Sequence, residues 1–290
     1  MKPSIDTDLV RRLVATRFPQ WADLPLKQVV PGGSDHAIFR LGTGLQVRLP
    51  RGDWSAGQAE KDGRWLPRIA DRLPLPVPEP VAVGEPEFGY PWQWSVTRWL
   101  AGEAARHDRL ADPEVTAVEV AGFLAALRGL PPAEELLPGP HGDLAPQELN
   151  ARDAATRSAI EAVDGVFDRA ALTAVWDAAL AAPEWSHAPV WFHGDFHAGN
   201  LLSVNGKLSA VIDFGGLGLG DPACDLVIAY TLLGAEIRPV FREALGVDDA
   251  TWARGKGWAL STGLNAFTSY AHVNPHVAKT TSRQITQALL

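Results

Sequence analysis

The chain has 290 residues, 46% hydrophobic and 21% charged, enough for one large core or two modest ones. Its formal charge of −8 is uneven: residues 1–101 carry 13 Lys/Arg against 11 Asp/Glu, and residues 102–290 carry 13 against 23. That balance offers no basic stripe for a nucleic acid, no apolar run approaches the ~20 residues of a membrane span, and the lone Cys224 excludes an intrachain disulfide and a thiolate metal cluster.

The N-terminus also lacks the apolar core of a signal peptide, so a cytoplasmic protein with neither membrane nor nucleic-acid partner is expected. The acidic second part suits either a cationic ligand or a solvated surface.

Asp6 or Thr7 can cap a helix in which Leu9, Val10, Leu13 and Val14 recur at helical spacing, and Pro19 ends it. Strands are expected at 26–30, 37–41 and 45–49, with the turn 31–36 (PGGSDH) between the first two. This is the layout of a nucleotide-covering hairpin, although a full G-x-G-x-x-G is lacking. A helix at 55–69 and a stiff proline connector at 73–80 lead to strands at 81–84 and 92–100. Ala101-Gly102 breaks the last strand, and a domain boundary is expected near Gly102.

Beyond it the chain turns helical. Asp112-Pro113 opens a helix with Val115, Val118, Gly122 and Ala125 along one face as far as Arg128, and Pro131-Pro132 stops it. A Pro/Gly-rich loop spans 133–150, and helices follow at about 147–163 and 167–181. Residues 190–192 read as a short strand running into a polar loop. Apolar runs at 201–204 and 208–212 flank Asn205-Gly206, the sequence of a type I′ hairpin turn. Residues 215–220 are too glycine-rich for regular structure. Asp221 caps a helix through Leu233, with Asp225 in its first turn, and helices at about 236–245, 249–263 and 264–272 complete the chain.

The chemistry concentrates in WFHGDFHAGN and IDFGG, residues 191–200 and 212–216. The hairpin delivers Asp213 beside Asn200. A neutral carbonyl oxygen and an anionic one are hard ligands suited to Mg²⁺ that phosphates also hold. Asp195, five residues before Asn200, is free to accept a hydroxyl proton. This is the Asp-x-x-x-x-Asn…Asp-Phe-Gly order of base and two metal ligands in protein kinases. His193, Asp195 and His197 alternate and on a strand could bind zinc, but Gly194 and Gly199 argue for a loop.

HGDFHAGN, then IDFGG, then GDPACDL resembles the aminoglycoside phosphotransferase and choline-kinase group of small-molecule kinases. The resemblance implies a bilobal, protein-kinase-like α+β fold, with an antiparallel sheet and one helix in an N-terminal nucleotide-binding lobe (1–101). The C-terminal lobe (102–290) would be mostly helical and hold the catalytic and acceptor sites. With these motifs present, the N–H groups of Gly33 and Ser34 become candidates to meet phosphates. Arg48 stands where the family usually has a lysine that contacts the phosphates, and Glu60 is its expected partner. Arg98 and Leu100, at the end of the last strand, are implicated in adenine recognition, with Thr97 behind them. Asp221 and Asp225 are assigned to support. The implied activity is ATP- and Mg²⁺-dependent phosphorylation of a hydroxyl on a small molecule, with GTP as the alternative donor. An aminoglycoside or another antibiotic is the leading acceptor; a sugar, a choline-like compound or another metabolite is an alternative, as is a non-catalytic nucleotide-binding protein.

Overall fold

The computed structural model describes residues 4–30, 32–136 and 141–290. Pro31 of the expected turn, and 137–140 of the expected Pro/Gly loop, lie outside the described residues. The chain divides into two units, Met1–Ala101 and Gly102–Leu290.

In the first unit, α1 (Thr7–Arg17) starts at Asp6, whose side chain accepts the Leu9 N–H. The sheet contains β1 (Leu26–Gln28), β2 (His36–Leu41), β3 (Leu45–Pro50), β4 (Pro80–Gly84) and β5 (Trp94–Arg98). All pairings are antiparallel, in the order β1-β2-β3-β5-β4. α2 (Gln58–Ile69) connects β3 to β4. Apolar side chains of α1 (Val10, Leu13, Val14) and alternate residues of the strands, among them Phe39, Val47, Trp94 and Val96, form one buried core.

The second unit contains α3 (Pro113–Arg128), α4 (Ala133–Leu136), α5 (Asp153–Ala162), α6 (Arg169–Ala181), α7 (Ile228–Thr231), α8 (Arg238–Leu245), α9 (Asp249–Tyr270) and α10 (Pro275–Leu289). β6 (Glu103–Ala104), β8 (Leu201–Val204) and β9 (Lys207–Val211) form one small sheet. β7 (Val190–Phe192) and β10 (Gly218–Gly220) form another. α5, α6 and α10 pack on α9. No helix among the described residues is long and apolar enough to cross a membrane.

Several expectations are corrected. The face of α3 read from Val115, Val118, Gly122 and Ala125 is its exposed one: Val115 and Val118 are 52% and 51% accessible. The buried face carries Ala117, Val120, Phe123, Leu124 and Leu127, whose larger side chains remove more apolar surface from water. Residues 218–220 form β10 because glycine at 218 lets the Phe192 ring close in; a Cβ there would stand 2.5 Å from its Cζ. Residues 222–227 wind as a 3₁₀ segment before the short α7, instead of one helix to Leu233. The expected helices at 249–263 and 264–272 are the single α9, and α10, capped by Asn274 with Pro275 at its first position, was not anticipated.

Candidate active site

The polar loop after β7 is fixed by an aromatic wall and by one buried carboxylate. Phe196 is buried, stacks on Phe123 with centroids 5.6 Å apart, and meets the His193 ring edge-on. Phe214 lies 4.5 Å from that same ring. Asp225 is wholly buried and its two oxygens accept the N–H groups of His193 and Gly194, each at 2.8 Å. Burial pushes the Asp225 carboxyl up, against the opposing pull of His193, the two N–H donors and Arg128. Asp221 caps its 3₁₀ segment through the Ala223 N–H and also pairs with Arg254 at 2.7 Å. Gly194 has φ of +83°, and a Cβ there would stand 2.2 Å from the carbonyl oxygen of Gly216. Only glycine lets the loop pass this close to the Asp-Phe-Gly segment.

His193 is a strut. Its Nδ1 accepts the Asp195 N–H (3.3 Å), which leaves the proton on Nε2 to donate to the Ile212 carbonyl (3.0 Å). Burial pushes its pKa down and keeps the ring neutral, outweighing Asp225, Asp195 and Asp213. Both ring nitrogens are committed to backbone, and no group of three or more His, Cys, Asp and Glu among the described residues could hold a metal. The loop conformation leaves no zinc site of the kind an alternating strand would build.

Asp195 projects outward, its side chain 57% accessible. Asn200 Nδ2 donates both to its carbonyl oxygen and to its Oδ2, each at 2.9 Å, and His197 Nε2 lies 3.5 Å from Oδ2. Burial would push this carboxyl up, but His197, His193 and Asn200 prevail and hold it below the usual carboxylate range. The group is an anion at neutral pH. For His197, burial pulls down but Asp195 prevails and raises it.

The two donations from Asn200 fix its amide orientation, so Oδ1 faces away from Asp195. The hairpin forms as expected, Asn205 and Gly206 having φ of +52° and +76°. The pairing of Leu201 with Val211 and the Ile212 N–H bond to the Asn200 carbonyl (2.9 Å) then bring Asp213 alongside Asn200. Asp213 itself is left-handed, φ +67°. A carbonyl oxygen and a carboxylate fit Mg²⁺ that draws its remaining ligands from phosphate and water.

In the first unit, Arg48 is buried and pairs with Asp62 at 3.2 Å, while Glu60 pairs with Arg64 on the surface. The expected Arg48–Glu60 pair is therefore corrected. Asp62 shares the buried stripe of α2 with Ala59, Leu66 and Ile69, and Glu60 lies off that stripe. Gly33 and Ser34 are exposed and, among the described residues, their N–H groups have no protein partner. The Arg98 N–H is taken by the Glu79 carbonyl (2.9 Å), and its side chain lies 3.5 Å from the Glu79 carboxylate. Leu100, beyond the strand, has no backbone hydrogen bond among the described residues. Thr97 is fully buried and its hydroxyl accepts from Gln46.

Sequence reasoning missed Asp62, Gln147 and Thr231. Gln147 Nε2 donates to the Gly194 carbonyl (3.0 Å), and Thr231 Oγ1 accepts the Ala198 N–H (3.1 Å). Only the helical stripe of α2 carried a signal, for Asp62. Cys224 is buried and its thiol pKa is raised by burial, which makes it inert packing.

Known proteins resemble this chain in sequence and in fold. Over 71 residues the sequence is 38% identical to an Escherichia coli aminoglycoside 3'-phosphotransferase, a match spanning 24% of this chain and about a quarter (26%) of that relative. A structure of the GDP and kanamycin complex of APH(2")-IIia has a TM-score of 0.74 at 18% identity, covering 96% of this chain and 98% of the other. The apoenzyme of macrolide 2'-phosphotransferase MphH from Brachybacterium faecium has a TM-score of 0.63 at 20% identity, covering 97% of each. At these identities the likeness establishes the fold, and it is the expected protein-kinase-like α+β fold. The profile of the phosphotransferase enzyme family matches residues 28–258, most of the sequence, and the chain belongs to that family.

Proposed function

We propose that this protein transfers the γ-phosphoryl group of a nucleoside triphosphate, ATP in the first instance, to a hydroxyl of a small molecule. The observation that carries the reading is the Asp195–Asn200–Asp213 arrangement: an outward carboxylate gripped by the Asn200 amide nitrogen, with Asp213 brought alongside by the hairpin. Asp195 accepts the acceptor's hydroxyl proton as the oxygen bonds to the γ-phosphorus and the bond to the β-phosphate oxygen breaks, releasing the nucleoside diphosphate. Asn200 Oδ1 and Asp213 would hold Mg²⁺, which supplies charge neutralisation on the phosphates when bound.

The loop's rigidity is itself part of the chemistry. With two backbone N–H groups locked by Asp225 and the His193 ring locked by two backbone groups, Asp195 needs little reorganisation to receive the acceptor. The first unit would bind the nucleotide through Arg48, held by Asp62, and through the N–H groups of Gly33 and Ser34. Adenine would meet the unpaired backbone of Leu100, whereas the Arg98 N–H is already engaged. Glu60, on the surface, has no part in this reading.

An aminoglycoside or another antibiotic is the acceptor class we favour. The support is the antibiotic phosphotransferases among the similar proteins and the excess of acids over bases in residues 102–290. The test is Mg²⁺-dependent conversion of ATP or GTP in the presence of kanamycin, a macrolide and simple polyols, with product mass read directly. A mass gain of one phosphate on an antibiotic supports the reading. Transfer confined to a polyol redirects the acceptor class, and no transfer to any compound by a protein that binds nucleotide counts against catalysis.

A further inference from the structure

The turn between β1 and β2 lies beside an arginine that makes no ion pair among the described residues. Arg51 directly follows β3. Its backbone N–H donates to the Asp35 carbonyl (2.8 Å) and its Nε to the Gly33 carbonyl (3.2 Å). Its Nη2 is 3.4 Å from the position a Cβ on Gly32 would take, so the guanidinium lies against the glycine backbone itself. Asp35 and Asp53, both near the turn in sequence or contact, each turn a carboxylate oxygen toward an indole. Asp35 Oδ1 accepts from Trp54 (3.2 Å) and from the Ser34 hydroxyl (3.1 Å), and Asp53 Oδ1 accepts from Trp92 (2.9 Å). Among the described residues Arg51 makes no ion pair.

Arg48 contrasts with it. Three residues earlier, on β3 itself, Arg48 is buried against Asp62, so its charge is balanced by a carboxylate. Arg51 is partly exposed, beside a turn whose Gly33 and Ser34 N–H groups have no protein partner among the described residues. A guanidinium with free Nη donors next to unpaired backbone N–H groups is a donor set suited to phosphate oxygens.

We propose that Arg51 is a phosphate-binding residue, its Nη groups joining the N–H groups of Gly33 and Ser34 around the phosphate chain of the nucleotide. The proposal rests on the reading of the first unit as nucleotide-binding. The Nε bond to Gly33 aligns the guanidinium with the turn, and the charge absent from an incomplete glycine motif is supplied from the end of β3.

The experiment is calorimetric titration of the full-length protein with ATP and, separately, with adenosine, which has no phosphate. Arg51→Ala should weaken ATP about 10- to 100-fold, the range for a hydrogen-bonded charge, and leave adenosine within about twofold. Arg51→Lys should recover part of the ATP affinity and Arg51→Gln, which keeps a donor for the Gly33 carbonyl, should recover none. Arg51→Gln also serves if the alanine variant does not fold. ATP binding by either neutral variant as in the wild type overturns the proposal. Equal losses for ATP and adenosine also overturn it, since they mark Arg51 as a strap for the turn. Failure of the wild type to bind ATP at all removes the nucleotide reading and this proposal with it.

Discussion

Asp195 combines exposure with tight control. His197 and Asn200 hold its charge in place, and replacing it by asparagine preserves shape while removing the proton acceptor. Asp195→Asn should lower turnover by about 10²- to 10⁴-fold, with nucleotide affinity little changed. Near-normal transfer by the folded variant in a steady-state assay would remove Asp195 from the chemistry. The pairing of Arg48 gives a second test at this scale. Asp62→Ala leaves a buried guanidinium without its carboxylate and should cost about 3–5 kcal/mol in urea unfolding. Glu60→Ala breaks only an exposed pair, worth at most about 1 kcal/mol. Equal effects of the two substitutions would refute this assignment.

At the scale of elements, the loop after β7 and the Asp-Phe-Gly segment depend on two backbones passing side by side. Gly194→Ala meets both a left-handed φ and the Gly216 carbonyl, so it should lower the thermal midpoint by several degrees and remove transfer activity. Differential scanning fluorimetry beside the activity assay checks both, and a fully stable, active variant would show that the approach is not obligatory. Glycines act in the same way in α9. A Cβ at Gly255 would stand 2.5 Å from Leu226, and one at Gly257 would stand 2.4 Å from Ala179. The helix tolerates their weak propensity because its neighbours pack directly on the backbone.

For the whole molecule, buried neutral His193 links the active loop to the pH dependence of stability. Its folded pKa is depressed, so its contribution is present above the ordinary histidine value and is lost as pH falls below it, where the unfolded chain takes up the proton. His197, raised in the fold, acts in the opposite direction but is common to both proteins compared. The thermal midpoint of the wild type should therefore fall relative to that of His193→Asn between neutral and mildly acid pH. Parallel slopes would mean that His193 is not the group responsible. Nucleotide with Mg²⁺ should add about 2.7 kcal/mol of stability at a hundredfold excess over Kd, and Asp213→Ala should lose the Mg²⁺-dependent part. An unchanged Mg²⁺ response in that variant would rule out the ligand assignment.

Local chemistry was legible in the sequence: Asp6 or Thr7 as one helix cap, settled on Asp6 by the fold, Asp112 as another, Asn205-Gly206 as a turn with two positive φ angles, and Asp195, Asn200 and Asp213 drawn together by one short hairpin. Each depends on residues within about 20 positions of one another, where backbone stereochemistry leaves few options. Choices between equally periodic faces were not legible. α3 offers two apolar stripes, and only its neighbours decide that Phe123 and Leu127 turn inward while Val115 and Val118 face water. The same holds for Arg48, which selects Asp62 over Glu60 because α2 buries one carboxylate and exposes the other. Glycine was the hardest residue to read. In α9 and β10 it looks like a break, yet both elements persist because another part of the chain fills the space a side chain would have occupied. The residues that brace the loop from a distance and that no motif marked, Gln147 and Thr231, make their contacts only once the chain has folded back over 30 or more positions. Their partners are backbone groups, which have no sequence signature, so tertiary structure alone could assign them.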